Sequence, residues 1–313
     1  MNSFQYEIIP YSEKYETALL ALEKNALQGK WIQLEMVKNS FVRRSENFEK
    51  YQIYLAVDFN GELLGVLAAS IVSIVINNTI RNLGYCYDVR VAKHARGEGL
   101  TKKMGMYAYK NFYLPNNVSN VFLTMKKGNK AVRKSAGILG LKLYKYPFSY
   151  LTIPTNRRLK KSYNQSISEK LTVYTPINKQ KVKSYFYVIN GKPRVWKTNL
   201  IYHLKIRKLH FLIKLINYIL TLFQAYSKQL PKEGDELNFG ILVYDNMPSK
   251  DEVNSILDFL EKQNIGYLLV ACTKSSGLYS VLKPISINSY AYQICSTFPV
   301  DQNDFISLDV RCL

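Results

Sequence analysis

The chain has 313 residues, of which 47% are hydrophobic and 13% aromatic, a composition that excludes an intrinsically disordered protein and exceeds what one core usually organises. Its formal charge of +20 is unevenly spread: residues 1–155 carry 21 Lys/Arg against 11 Asp/Glu, residues 156–232 carry 17 against Glu169 alone, and residues 233–313 carry 5 against 11. The basic middle suits phosphates, anionic lipid or an acidic substrate, with a merely soluble charged surface as the plain alternative.

In chain order, FQYEII reads as a strand and Ser12 caps a helix running to about Leu22. A second helix is expected from Ile32 to Val42. YQIYLAVDF and ELLGVLAASIVSIVI flank Asn60-Gly61, a dipeptide suited to the positive φ of a tight hairpin. NLGYCYDVRVA is the next strand, and Leu100 to about Phe112 the next helix. Strand NVFLTM, a helix from about Asn129 to Leu139, and strands LKLYKY and YLTIPT complete an α/β first half, a mixed and mainly antiparallel sheet flanked by helices.

Residues 156–184 are basic and polar and read as a linker. A second hairpin is expected around Asn190-Gly191, then an apolar helix at 206–226. Between Ile206 and Phe223, the residues Arg207, His210, Lys214, Asn217, Tyr218 and Thr221 share one narrow stripe and the rest of the wheel is apolar. Burial between two lobes is the leading expectation for this helix. A membrane-surface helix with basic flanks Lys205, Arg207, Lys208 and Lys228 is the alternative.

FGILVYD, a helix over Ser249–Gln263, YLLVAC, a short helix over Ser275–Leu282, SYAYQICSTF and FISLDVRC follow. Their order repeats the end of the first half, so a pseudo-duplicated chain is expected, with lobes at 1–155 and 185–313. Cys86, Cys272, Cys295 and Cys312 lack metal-like spacing, and no metal is expected. The start MNSFQYEIIPYSEKYE does not look like a secretion signal, which predicts a cytoplasmic protein, with a peripheral position at the inner membrane surface as the variant that the apolar helix would favour.

The chemistry-bearing stretch is VRVAKHARGEGLTKKM, residues 89–104. A strand that ends in a glycine turn and feeds a helix N-terminus aims several backbone N–H groups at one point, where the helix dipole adds positive potential. Gly97 and Gly99 allow close approach, and Arg96, Lys102 and Lys103 add charge. This reads as a phosphate or pyrophosphate cradle, with a glycine-rich turn carrying surface charge as the plain alternative.

These residues resemble the GNAT superfamily of acyl-CoA-dependent N-acyltransferases, whose signature Arg/Gln-x-x-Gly-x-Gly/Ala stands here as Arg96-Gly97-Glu98-Gly99-Leu100-Thr101, with Thr101 departing from the last position. The resemblance covers about residues 4–155 and extends over 235–311 as a degenerate copy. It implies acetyl-CoA or another acyl-CoA as co-substrate, pantetheine along Val89, Arg90 and Val91, and an amine acceptor. Asn129 followed by Gly140-Leu141 is similar to a second family pattern, but Ala136 stands where a thiolate-protonating tyrosine is usual. Direct attack on the thioester needs a base. Asp88 is the only carboxylate in the strand just upstream, so it is the candidate base, with Tyr85 or Tyr87 as supporting donors. The alternative makes Asp88 an ordinary paired acid and the tyrosines core; Glu35 is another candidate base, and Cys86 lacks a histidine to activate it. Two further readings keep the fold: a Fem-like aminoacyl transferase that uses the basic middle for RNA, and a non-catalytic polyanion- or membrane-surface-binding protein.

Overall fold

The computed structural model describes residues 5–24, 32–76, 79–128, 144–163, 171–172, 186–222, 232–244, 247–299 and 306–307. Strand β1 (Tyr6–Pro10) is followed by α1 (Glu16–Lys24), β2 (Ile32–Val37), β3 (Lys50–Asp58), β4 (Leu63–Ile76), β5 (Thr79–Val91), α2 (Leu100–Ala108), β6 (Val121–Lys126) and β7 (Tyr144–Pro154). Next come β8 (Leu171–Thr172), β9 (Phe186–Ile189), β10 (Lys192–Lys197), β11 (His203–Leu209), α3 (Phe211–Leu222), β12 (Glu236–Leu237) and β13 (Phe239–Leu242). The last are α4 (Lys250–Lys262), β14 (Tyr267–Cys272), α5 (Gly277–Leu282), β15 (Asn288–Ser296) and β16 (Ile306–Ser307).

Most strands form one large sheet in the order β1-β3-β4-β5-β6-β15-β7-β14-β13-β10-β9. The pairing along that path is antiparallel except between β5 and β6 and between β13 and β14. The order is symmetric about its centre. On one side β15 pairs with β6, which lies parallel to β5; on the other β7 pairs with β14, which lies parallel to β13. The strand that follows β6 in the chain thus lies against β14, and the strand that follows β14 lies against β6.

Local chemistry explains the well-placed elements. Gly61 takes φ +82° in the β3–β4 turn, and the Asp58 carboxylate accepts from the N–H groups of Asn60 and Glu62. Asn190 and Gly191 both have positive φ between β9 and β10, the backbone a two-residue hairpin turn requires. Helix α4 opens on a reciprocal cap, the Ser249 hydroxyl accepting from Glu252 N–H while the Glu252 carboxylate accepts from Ser249 N–H. Ser249→Ala is expected to cost about 1 kcal/mol, read as a shifted urea midpoint with an unchanged slope.

Five expectations are corrected. Residues 32–37, placed in a helix, form strand β2, which pairs with β11 in a separate sheet of order β12-β11-β2. Residues 206–209, placed in the apolar helix, belong to β11, and α3 starts only at Phe211. That helix is not buried: none of its described side chains is, and only Ile213 is half-buried. Of the two strands expected at 141–155, the described residues form one, β7 (Tyr144–Pro154), running through Pro147. Helix α2 ends at Ala108 and continues as a wider turn to Tyr113. The helix expected at Asn129–Leu139 lies outside the described residues.

Among the described residues three large apolar clusters hold the sheet, with a small fourth at Met125 and Cys295. One lies beneath α2, with Leu100, Met104 and Ala108 against β3 and β4. A second lies beneath α4 and α5, with Val253, Leu257 and Leu260 against β7 and β14. The third is aromatic and spans both halves on the opposite face of the first, bringing Tyr85 and Tyr87 together with Phe148, Tyr150, Trp196 and Phe239.

Candidate functional site

The site begins where β5 and β6 part. They pair only at Gly84–Val121 and Tyr85–Phe122 among the described residues, after which β5 continues to Val91 while β6 turns to β15. Two features hold the vertex. A Cβ on Gly84 would lie 2.6 Å from the Tyr113 ring and 2.7 Å from Val121, so only glycine fits between them. The Tyr113 hydroxyl donates to the carbonyl of Tyr85 at 2.7 Å, which fixes the ring against the vertex.

Beyond the vertex no strand among the described residues lies beside the edge of β5. Ala92 N–H bonds Leu64 on β4, and backbone groups alternate sides, so those of Val89 and Val91 face the gap. Their carbonyls accept from side chains instead: Val89 from Arg90 at 3.0 Å, Val91 from Arg96 at 3.1 Å. These are hydrogen-bonding groups that an extended ligand could take over.

Between these two regions β5 bulges. Val66 pairs with Arg90 and Ala68 with Tyr87, so two residues of β5 oppose one of β4, and Asp88 adopts φ +45°. Strand alternation would send Asp88 to the face opposite Tyr87. The bulge turns it to the same face, where its carboxylate accepts from Arg44 Nη1 at 2.6 Å and Lys38 Nζ at 3.0 Å. Lys38 also meets Glu23 at 3.5 Å, and Glu23 meets Arg90 at 3.1 Å. A buried ion network therefore ties α1, the segment after β2 and the bulge. Arg44 Nη2 donates to the Tyr85 hydroxyl at 3.1 Å and its guanidinium lies over the Tyr87 ring, whose hydroxyl donates to Ser45.

This environment sets the chemistry of Asp88. Burial by itself would raise its carboxyl, but the charges of Arg44, Lys38 and Arg90 and the Lys38 hydrogen bond outweigh that and hold it well below the usual carboxylate range. Both oxygens are engaged, so the group is a weak base and a strong anchor. The Cys86 thiol, on the other face, is pushed up to about 12 by burial, which leaves it inert as a nucleophile. Glu35 lies on β2 in the small sheet, buried and paired with Arg207.

The glycine turn follows directly. Gly97 has φ +100° and Gly99 φ +70°, and a Cβ on either meets no atom within 4 Å. Glycine is required here by the backbone, and no described residue crowds either position. Gly99 is the N-cap residue of α2, while Leu100 is buried beneath it and Glu98, Lys102 and Lys103 are exposed. Thr101 is half-buried. Turn, helix N-terminus and open strand edge thus lie consecutively, the arrangement an elongated ligand with a phosphate-bearing end needs.

The structure brings together Tyr85, Tyr87, Asp88, Val89, Arg90 and Val91 with Arg96, Gly97, Glu98, Gly99, Leu100 and Thr101 along one strand and turn. Asn129 and Ala136 lie outside the described residues. Sequence reasoning missed Lys38, Arg44, Glu23 and Tyr113; no local spacing links residues 44 and 50 positions away to Asp88. Among the described residues no group of His, Cys, Asp and Glu could hold a metal ion.

In sequence, the chain matches no family model and no curated protein. In structure it is similar to N-myristoyltransferase of Saccharomyces cerevisiae, solved with bound myristoyl-CoA, at a TM-score of 0.59 and 10% identity over 96% of this chain and 84% of that one. It is also similar to a GCN5-related glucosamine N-acetyltransferase region of a fungal multi-domain GH3 β-N-acetylglucosaminidase, at a TM-score of 0.50 and 10% identity over 93% of this chain and 38% of that one. At such identities the likeness is one of fold. That fold spans nearly the whole chain, both halves of the large sheet included, and it is the GNAT fold.

Proposed function

We propose that this protein is an N-acyltransferase that takes an acyl group, acetyl in the simplest case, from acyl-coenzyme A to an amine. The observation that carries the reading is the open edge of β5 between the vertex at Gly84 and the glycine turn at the start of α2. The pantetheine amides would pair with Val89 and Val91, displacing the Arg90 and Arg96 side chains. The Arg96 guanidinium, freed from the Val91 carbonyl, and the N–H groups of the turn from Gly97 to Thr101 would face the pyrophosphate, while Arg90 stays on Glu23.

In this reading the thioester reaches the bulge, where the two-against-one register leaves backbone N–H groups without a ladder partner to steady the developing oxyanion. The amine attacks the acyl carbon, its proton passes to solvent or a nearby hydroxyl, and the thiolate leaves. Asp88 acts through Lys38 and Arg44 by holding the bulge, and Tyr85 and Tyr87 form the wall beside it.

Calorimetry with coenzyme A and acetyl-CoA tests the reading. Saturable binding is expected, weakened at least about tenfold by Gly99→Val, since a β-branched residue resists left-handed backbone by more than about 1 kcal/mol and would also cover the turn. Arg96→Ala should weaken it as well. Absence of binding by the unaltered protein, or unaltered affinity in Gly99→Val, would overturn the assignment.

A further inference from the structure

Helix α3 is amphipathic in the wrong sense for a core helix. Phe211, Leu212, Leu215, Ile216 and Ile219 occupy one continuous arc of its wheel, and all are exposed, Phe211 to 65% and Leu215 to 49%. Tyr218, also exposed, borders that arc. Outside that arc Ile213 is half-buried, and Lys214, across the wheel from Leu212 and Ile216, meets Glu233 Oε1 at 2.8 Å, the same carboxylate accepting from Leu209 N–H just before the helix. A globular protein rarely turns a patch of this kind to water unless something covers it.

Charge selects the cover. No acidic residue stands between Glu169 and Glu233, while thirteen Lys and Arg do, and exposed Lys208 lies at the end of β11 beside the helix. A second copy would set one chain of +20 against another. An anionic bilayer offers both an apolar interior and opposite charge. The described residues of α3 number 12, against about 20 needed to cross a bilayer, and no described helix is long and apolar enough to span one. It would lie in the interface plane.

We propose that α3 docks the protein on anionic membrane lipid, its Phe211–Ile219 arc among the acyl chains and its basic flank on the headgroups. The inference is independent of acyl transfer. It is tested by flotation of the full-length protein with vesicles of phosphatidylcholine containing a third phosphatidylserine, and with pure phosphatidylcholine. Binding is expected on the mixed vesicles and much less on the pure ones. Leu215→Glu with Ile219→Glu should weaken it at least about tenfold, and Lys208→Gln about fivefold. Both variants alter exposed side chains, so thermal unfolding and coenzyme A affinity should match the unaltered protein. Failure to bind, equal binding to both vesicle types, or full binding by the double variant would overturn the proposal. So would a dimer in light scattering that the double variant dissociates, which would assign the helix to self-association.

Discussion

Asp88→Asn is expected to destabilise the protein by about 3–5 kcal/mol, because it leaves the buried Lys38 and Arg44 cations without the anion that both of them face. Asparagine keeps the shape and tolerates the left-handed backbone of the bulge, so the loss reports charge rather than sterics. Asp88→Ala should cost more, since it adds strain at φ +45°. The pH dependence follows from the direction of the shift. A carboxyl held below its unfolded value contributes stability that is fully present above that value, 3.8, and is lost as pH falls toward the folded one. Unaltered protein and Asp88→Asn should therefore differ fully near neutrality and converge below about pH 4. Urea unfolding at several pH values measures this; a neutral-pH difference under about 1 kcal/mol would mean that Asp88 does not anchor the network.

Gly84→Ala is expected to cost about 1–3 kcal/mol through overpacking at the vertex. The added methyl would fall 2.6 and 2.7 Å from two atoms of the Tyr113 ring and 2.7 Å from Val121, and the ring is fixed by its bond to the Tyr85 carbonyl. Relief requires either β6 to retreat or Tyr113 to leave. Tyr113→Leu in the Gly84→Ala background separates these: partial recovery of stability shows that the ring is the obstacle, and no recovery shows that Val121 is. Both changes alter the gap along β5, so acetyl-CoA affinity should fall with stability in the single variant.

The sequence was most legible where local chemistry decides conformation. Asn60-Gly61, Asn190-Gly191 and the Ser249–Glu252 cap specify their turns and helix start within a few residues, and the structure has each of them. The glycine turn was legible for the same reason. The two largest errors were one error. Ile32–Val37 and His203–Leu209 pair with each other across more than 160 residues, and each looked helical when taken alone. The alternation Ile32-Gln33-Leu34-Glu35-Met36 carries a strand period, and the distant pairing with β11 selects it over the helical spacing of its neighbours. At the site, the strand edge and the turn could be read, but the bulge could not. An aspartate with positive φ is chosen by partners from distant segments, and neither Lys38 nor Arg44 announces itself as one.

The exchange of β7 and β15 matters most while the protein is being made. When β6 leaves the ribosome, the strand that will close its outer edge is still more than 160 residues from being translated. An N-terminal half released early would present that edge, rich in β-branched and aromatic residues, to other nascent chains. The β5–β6 side of the molecule therefore depends for its completion on nearly the last strand synthesised, and a chain truncated before Asn288 would lack a wall of its first half as well as the end of its second.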